Sequence, residues 1–551
     1  MSLSPSTSVA TPRWQLAALL GAVALVLLAA FPYFEQVRNA NELPRLLQAM
    51  SLVEHGEWAI DGPSRRGIPT GPDVARSPID DRLYPNKPPG ASVVGAVAYV
   101  IARLGAEPPT LREFTWWARL LAGVVPVLII VGLAWGRLRQ SYSAPVSAAA
   151  ISLFVFGTPM FVYARLFYGH ALAACLLYAG VLALERGVER GSSRVVGVGA
   201  VLASAAITVE YGAAFAGLPI ALMFVWPILR DRRVRAARRS GTTLAAIALG
   251  CALVPVIALS IYQRAAFGSA WATGYHHAAD PGFAQLHGQG LLGLGAPRWS
   301  NVLTHLLSPN TGLLVWSPLV VIACVGLGAL AWRPGPTRRE ARLHLAIFVV
   351  VVFVGLGLSF EGGWRVGPRY LVVALPMLIL GIAEYIAWGL ELDSARRRGV
   401  AIGLLGAAAS WSLIANSLAA TLWPHLDPTN IAEPFGAVLL PLWRDGFGPY
   451  GIPTWFRGGL TFTLALPIAV GLGGLGWALL RGHERPRAAL LLSFALGAGL
   501  GALVPTVAIP RSVQAHPKTE RNLNYIEKVY EPRVHAGKRT PGRSKDLASP
   551  T

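Results

Sequence analysis

The chain has 551 residues, of which 54% are hydrophobic and only 14% charged, with a mean hydropathy of +0.49. Soluble proteins of this size carry nearer a quarter charged residues, so a soluble globular enzyme is excluded. The net charge of +20 does not point to nucleic acid, because most arginine clusters fall in short loops between apolar runs, where they set membrane orientation.

The first apolar run, Trp14 to Tyr33, is too long for the apolar part of a signal peptide and lacks a small-residue cleavage site, so it reads as a retained span. Next comes the first long polar stretch, Asn41 to Gly90. In it Leu43, Leu46, Leu47, Met50 and Val53 recur at helical spacing, which predicts an amphipathic helix along the membrane surface. Pro44 suits its first turn, and Glu42 sits at its N-terminus, where the helix dipole favours an anion. Arg45 shares the face of Glu42, so a simple ion pair is one reading and catalysis the other. The stretch ends in Asp80-Asp81-Arg-Leu-Tyr-Pro-Asn-Lys87-Pro-Pro-Gly90. Lys87 there is either a snorkelling interfacial lysine or a cation fixed at headgroup level to hold a phosphate.

Pro89 to Leu104 is apolar but short for a crossing and reads as a helix in the outer interface. Spans are then expected near 14–33, 115–136, 144–164, 168–186, 195–210, 211–229, 242–263, 312–332, 343–360, 370–389, 399–420, 459–480 and 488–508. This is an all-α polytopic membrane protein with about thirteen transmembrane helices and outer juxtamembrane helices. Basic loops at 137–139, 186–194, 230–239, 333–342, 396–398 and 481–487 mark the cytoplasmic side. Residues 1–13 form a cytoplasmic N-terminus, 14–508 the membrane domain with its first outer loop at 34–114, and 509–551 a basic tail outside. The tail is expected to hold little structure beyond an amphipathic piece near Asn524–Val529. No internal repeat is visible, and the three cysteines lie inside apolar runs and build no disulfide framework.

The remaining outer loops share a composition. Arg165, Tyr168 and His170 follow a break at Gly157–Pro159, and Glu210 with Tyr211 sits where two spans meet, an expensive place for an unused acid. Tyr275 closes a loop rich in aromatics, glycine and hydroxyls, and Trp364, Arg365 and Arg369 stand among glycines. Aromatics alone would be an interfacial belt. With arginines, acids and histidine on one side they suit a phosphate and a sugar. The spacing of His276, His277, His287 and His305 matches no metal motif; no cofactor is certain, and a divalent cation stays open but is not supported by ligand spacing.

The ordered set NELPR, NKPPG, YARLFYGHALAA, VEYGA, FGSAWATGY, NTGLLVWSP and GGWRVGPRYLVVALP resembles bacterial membrane glycosyltransferases of the GT-C fold, of the phospholipid-carrier-dependent group. It is more distantly similar to protein O-mannosyltransferases and lipid A aminoarabinose transferases. The resemblance covers about Glu35 to Leu378 and implies a GT-C-like fold in the bacterial cytoplasmic membrane, with the active site on its outer face. It implies a sugar donor on a polyprenyl phosphate and an acceptor that is a glycolipid, a glycan or a protein. Glu42 matches the family's catalytic acid and Lys87 its phosphate contact; His170 stands where better-known relatives have a second acid. On that basis Glu42 is expected to be catalytic, with Lys87, Arg365, Arg369 and Arg45 binding the donor phosphate. His170, Tyr168, Arg165, Glu210, Tyr211, Tyr275 and Trp364 are expected to line the sugar or acceptor. A transporter or flippase for a lipid-linked or anionic glycan is the competing reading, and a non-catalytic assembly component the third.

Overall fold

A computed structural model describes residues 13–29, 39–105, 108–230, 235–287, 295–358, 363–427, 429–449, 451–481, 487–512 and 518–529. In chain order the main helices and strands are α1 (Arg13–Ala29), α2 (Leu43–Glu54), β1 (Val74–Arg76), β2 (Leu83–Pro85), α3 (Gly90–Gly105) and α4 (Leu111–Leu138). They continue with α5 (Ala144–Gly157), α6 (His170–Glu189), α7 (Ser193–Thr208), α8 (Tyr211–Phe224) and α9 (Gly241–Phe267). The last are α10 (Leu319–Trp332), α11 (Arg338–Gly355), α12 (Arg369–Glu391), α13 (Ala395–Thr421), α14 (Gly459–Arg481), α15 (Arg487–Ser512) and α16 (Thr519–Val529). Short one-turn pieces join them.

Among the described residues, seven helices are long and apolar enough to cross a membrane: α4, α6, α9, α12, α13, α14 and the Ala488–Ile509 part of α15. Each of the other expected spans also contains a helix, but shorter or, for α11, with four charges in its first turns. Two expected spans are broken. The run 144–164 stops at Gly157, with Thr158 extended before Pro159, and 312–332 stops at Trp316, before Ser317 and Pro318. Proline supplies no N–H and forces its predecessor out of the helical region, which ends each helix there.

Helices pack through small residues. A Cβ on Gly326 of α10 would lie 2.0 Å from the carbonyl oxygen of Gly381 in α12, so only glycine lets these two backbones touch. α13 packs on α15, α6 on α7, and α5 on α14. One end of the bundle gathers the basic loops. There Arg137 donates from Nε to Glu340 at 2.6 Å, His344 stands 3.4 Å from Glu185, and Glu384 joins Tyr142 at 2.9 Å and Arg333 at 3.0 Å.

The opposite end carries the other loops under a cap of α2, α3 and a β-hairpin. α2 is a helix where the periodicity predicts one, but it is almost wholly buried from Leu43 to Ser51 rather than lying on the surface. Taking each of its large apolar side chains from water contributes about 1.5–3 kcal/mol. α3 covers it, with Val93, Val97, Val100 and Leu104 left as an outward apolar stripe. Its 16 residues span about 24 Å, short of a bilayer core of about 30 Å. The connector between them is not plain loop: β1 and β2 pair antiparallel with Val74 opposite Pro85. The tail helix α16 begins earlier than its amphipathic signal, at Thr519, and docks near Phe435 with Ile526 buried.

Candidate active site

Glu42 occupies the N-cap position of α2, but its carboxylate makes no cap bond. It turns instead to Arg119 near the start of α4, which donates from Nε and Nη2 to the two carboxylate oxygens at 2.8 Å each. The amide of Phe167 donates to Oε1 at 2.7 Å, and Glu42 is 0% exposed. Burial alone would raise its pKa, but Arg119 outweighs it and holds the carboxyl below its ordinary value. The expected Glu42–Arg45 pair does not form. One turn further, Arg45 reaches Asn41, whose Oδ1 accepts from Nη1, and Glu210, whose Oε1 accepts from Nη2 at 3.0 Å. The reason is rotation: position 42 faces α4, whereas position 45 faces the junction of α7 and α8.

The hairpin supplies the centre of the site. Continuing the register past Val74 and Pro85 sets Asp73 opposite Asn86, whose amide donates to the Asp73 carbonyl at 3.1 Å. The next residue is Lys87, 5% exposed, with Nζ 3.8 Å from Asp73 Oδ2 and 4.5 Å from the ring centre of Tyr275. A third segment joins the same sheet edge: the amide of Arg76 donates to the carbonyl of His277 at 2.9 Å, and Ala279 to Val74 at 2.9 Å. Gly274 makes that approach possible, because a Cβ there would fall 2.5 Å from Asn86 Cα.

Around this centre the other loops close in. Glu210 also lies 3.5 Å from His170 Nδ1, and His170 packs edge-on against Tyr163, Tyr168 and Tyr370. Arg369 donates from Nη2 to Tyr370 at 3.0 Å and acts electrostatically on Asp73, Lys87 and Glu210. Tyr211 lies 5.8 Å from Tyr275, ring to ring. Tyr168 bonds Asn39 and stacks on His425, and Asn39 donates to His425 Nδ1 at 2.8 Å. Burial drives His425 down to about 4, so it stays neutral and accepts that bond. Of the residues expected from sequence, Lys87, Arg369, Arg45, His170, Tyr168, Glu210, Tyr211 and Tyr275 meet here. Glu42, Arg165, Arg365 and Trp364 lie one layer behind. Arg165 stacks over Phe161 at 4.4 Å, the Arg365 amide bonds the Leu426 carbonyl at 2.8 Å, and the Trp364 carbonyl accepts from Tyr168 at 3.4 Å. Residues 359–362, the end of the expected span 343–360 and the start of the loop expected from Glu361, lie outside the described residues.

Asp73, Asn41, Asn39, Arg119 and His425 are new members. Burial pushes Asp73 up, but Lys87, Arg369 and Arg45 together hold it below its usual value of 3.8. Burial lowers Lys87 from 10.5, and Asp73 only partly opposes this because Arg369 and Arg45 add like charge. At the centre three cations, Arg45, Lys87 and Arg369, thus face two carboxylates, Asp73 and Glu210, and burial raises Glu210 above its ordinary value. The group of potential metal ligands found among the described residues is elsewhere, at the opposite end: Glu185, Glu340 and His344. Arg137 already occupies both oxygens of Glu340 there.

Fold and site together define a multi-pass helical membrane protein with a buried, charged centre under a cap at one end. No protein-family model matches the chain, and no curated protein matches it. Solved structures it is similar to include ArnT from Cupriavidus metallidurans bound to undecaprenyl phosphate, at 19% identity and a TM-score of 0.46, over 91% of this chain and 79% of that one. Arabinosyltransferase EmbB from Mycobacterium smegmatis is similar at 13% identity and a TM-score of 0.46, over 93% of this chain and 42% of that one. The Archaeoglobus fulgidus oligosaccharyltransferase in complex with zinc and sulfate is similar at 14% identity and a TM-score of 0.46, over 74% of this chain and 53% of that one. The chain thus spans about half the length of the latter two. The site is read from its own geometry.

Proposed function

We propose that the protein transfers a sugar from a polyprenyl-phosphate-linked donor to an acceptor hydroxyl, with inversion, at the outer face of the bacterial cytoplasmic membrane. The observation that carries this reading is the buried Lys87, placed at the entry to α3 with Arg369 and Arg45 within electrostatic reach. A sugar linked through phosphate to a lipid is a phosphodiester with one negative charge, which these cations suit. On transfer the leaving phosphate gains a second charge. Cations already fixed in place stabilise it more than they stabilise the bound donor, which is the condition for catalysis. The aromatic faces of Tyr168, Tyr275 and Tyr370 suit a sugar ring. An apolar cavity of about 460 Å³ between α6, α7, α8 and α9 suits an isoprenoid chain; Ile207 and Ala213 in its wall flank Glu210 in sequence. Glu42, held by three donors, serves in this reading to fix Arg119 and the loop that carries Tyr168.

The test is transfer from radiolabelled undecaprenyl-phosphate sugars by the protein in lipid nanodiscs, with the product's anomeric configuration read by NMR. Wild-type turnover with an inverted product, and Lys87→Met binding undecaprenyl phosphate at least tenfold more weakly, are expected. Undiminished binding by Lys87→Met, or facilitated movement of the lipid-linked sugar with no new glycosidic bond, would refute the proposal and favour a flippase.

A further inference from the structure

The proposed transfer needs a group that takes the acceptor's proton. The carboxylate at the start of α2 is badly placed for that work. Both oxygens of Glu42 are engaged at 2.7–2.8 Å by Arg119 and the Phe167 amide, and the residue is 0% exposed. Glu210 is gripped by Arg45 at 3.0 Å. Asp73 differs from both. Its donors stand off at 3.3 Å for Asn41, 3.5 Å for Asn86 and 3.8 Å for Lys87. Its side chain keeps 12% of its surface accessible, against 0% for Glu42 and 10% for Glu210, so bond length rather than exposure sets it apart from Glu210. Bonds that long leave lone pairs for a further donor.

We infer, on the basis of that functional reading, that Asp73 is the catalytic base of the transfer. The acceptor hydroxyl donates its proton to a carboxylate oxygen of Asp73. The freed electron pair of the acceptor oxygen forms the bond to the anomeric carbon. The bond from that carbon to the phosphate oxygen breaks, and its electron pair leaves on the polyprenyl phosphate beside Lys87 and Arg369. Asp73 then returns the proton to water. Charge in the closed site is unchanged throughout: as the leaving phosphate goes from one negative charge to two, Asp73 goes from one to none.

Azide separates a base from a scaffold, because it attacks without losing a proton. The assay uses undecaprenyl-phosphate sugars in nanodiscs, with water or sodium azide as acceptor, for wild type and Asp73→Asn. Asp73→Asn is expected to slow release of sugar to water by about 10²–10⁴-fold. Glycosyl azide formation is expected to stay within about tenfold of wild type, and undecaprenyl phosphate binding is expected not to weaken, since the variant removes a carboxylate 3.8 Å from Lys87. Release to water by Asp73→Asn at near the wild-type rate would overturn the assignment. So would loss of water and azide reactions together while binding persists, which would make Asp73 a positioning residue. Wild type that binds undecaprenyl phosphate but transfers from none of the sugars to either acceptor would instead refute the glycosyltransferase reading itself.

Discussion

Glu42 and Arg119 form a buried ion pair, and its replacement distinguishes a lock from a catalyst. Glu42→Gln removes one charge and leaves the Arg119 guanidinium buried beside an amide. Breaking a buried pair in this way costs about 3–5 kcal/mol, whereas replacing both members by apolar groups of similar volume is often neutral. With an unfolding entropy of about 2 cal/mol/K per residue over about 500 residues, such a loss lowers Tm by roughly 3–5 °C if the chain unfolds as one unit. It lowers Tm further if the cap opens first. Glu42→Met with Arg119→Met is expected to recover most of that loss, because Glu42 and Arg119 are 0% and 2% exposed and the pair is removed together. Thermal unfolding in detergent gives the stability, and sugar release from an undecaprenyl-phosphate donor gives the function. The double variant is expected to keep at least a tenth of wild-type turnover. A double variant that regains its Tm and binds undecaprenyl phosphate, yet turns over 10³-fold more slowly, would make Glu42 the base and refute the reasoning that rests on its three donors.

In the proposed reaction the pH profile of kcat/KM has two sides. Asp73 must be ionised and lies below 3.8, so activity is present above that value and falls as the medium becomes more acid. Lys87 must be charged and lies below 10.5, so activity falls as pH rises, earlier than for an ordinary lysine. Lys87→Arg, always charged, is expected to remove the alkaline limb while weakening donor binding. Gly274→Ala drives a Cβ to 2.5 Å from Asn86 Cα and is expected to cost at least tenfold in undecaprenyl phosphate affinity, whereas Gly212→Ala, which meets nothing within 4 Å, is expected to cost under twofold. Ala248→Trp fills the apolar cavity and is expected to weaken an undecaprenyl donor at least tenfold but a two-isoprene donor less than twofold; equal effects on both would remove the cavity from the donor path.

Periodicity located the helices because a membrane chain writes them in long apolar runs, and the alternation of basic loops gathered Lys87, His170, Glu210, Tyr275 and Arg369 at one end. It left Asp73 invisible. Asp73 sits in Gly-Ile-Pro-Thr-Gly-Pro-Asp, a stretch with neither helical nor strand period, and gains meaning only from its place across from Asn86. Arg119 closes the segment Leu-Arg-Glu-Phe-Thr-Trp-Trp-Ala-Arg and reads as the start of a span. Its pairing with a residue 77 positions earlier has no local signature. Conversely Glu42 and Arg45 look like neighbours on one face, yet each is drawn to a different long-range partner. His425 arrives more than 250 residues after the tyrosine it stacks on. The two exposed acids the same stretch offers, Asp80 and Asp81, serve the hairpin turn instead: Asp81 takes a left-handed backbone at φ 58 and pairs with Arg76, and Asp80 accepts from Tyr84.

The hairpin explains how the proposed base and the proposed phosphate-binding lysine are kept in register among buried loops. Adjacent positions across an antiparallel pair are fixed to within about 5 Å by backbone bonds, independent of side-chain rotamers. A slip of one residue between β1 and β2 would turn Asp73 to the opposite face and away from Lys87. Such a slip is opposed from a third segment, since Arg76 and Ala279 bond across the far edge of β1 and Ala75 pairs with Ala278. That same segment carries Gly274 and Tyr275, so the bonds that hold the register also set the aromatic ring against Lys87. The only strands among the described residues therefore lie where the proposed chemistry needs fixed positions, beside buried charges.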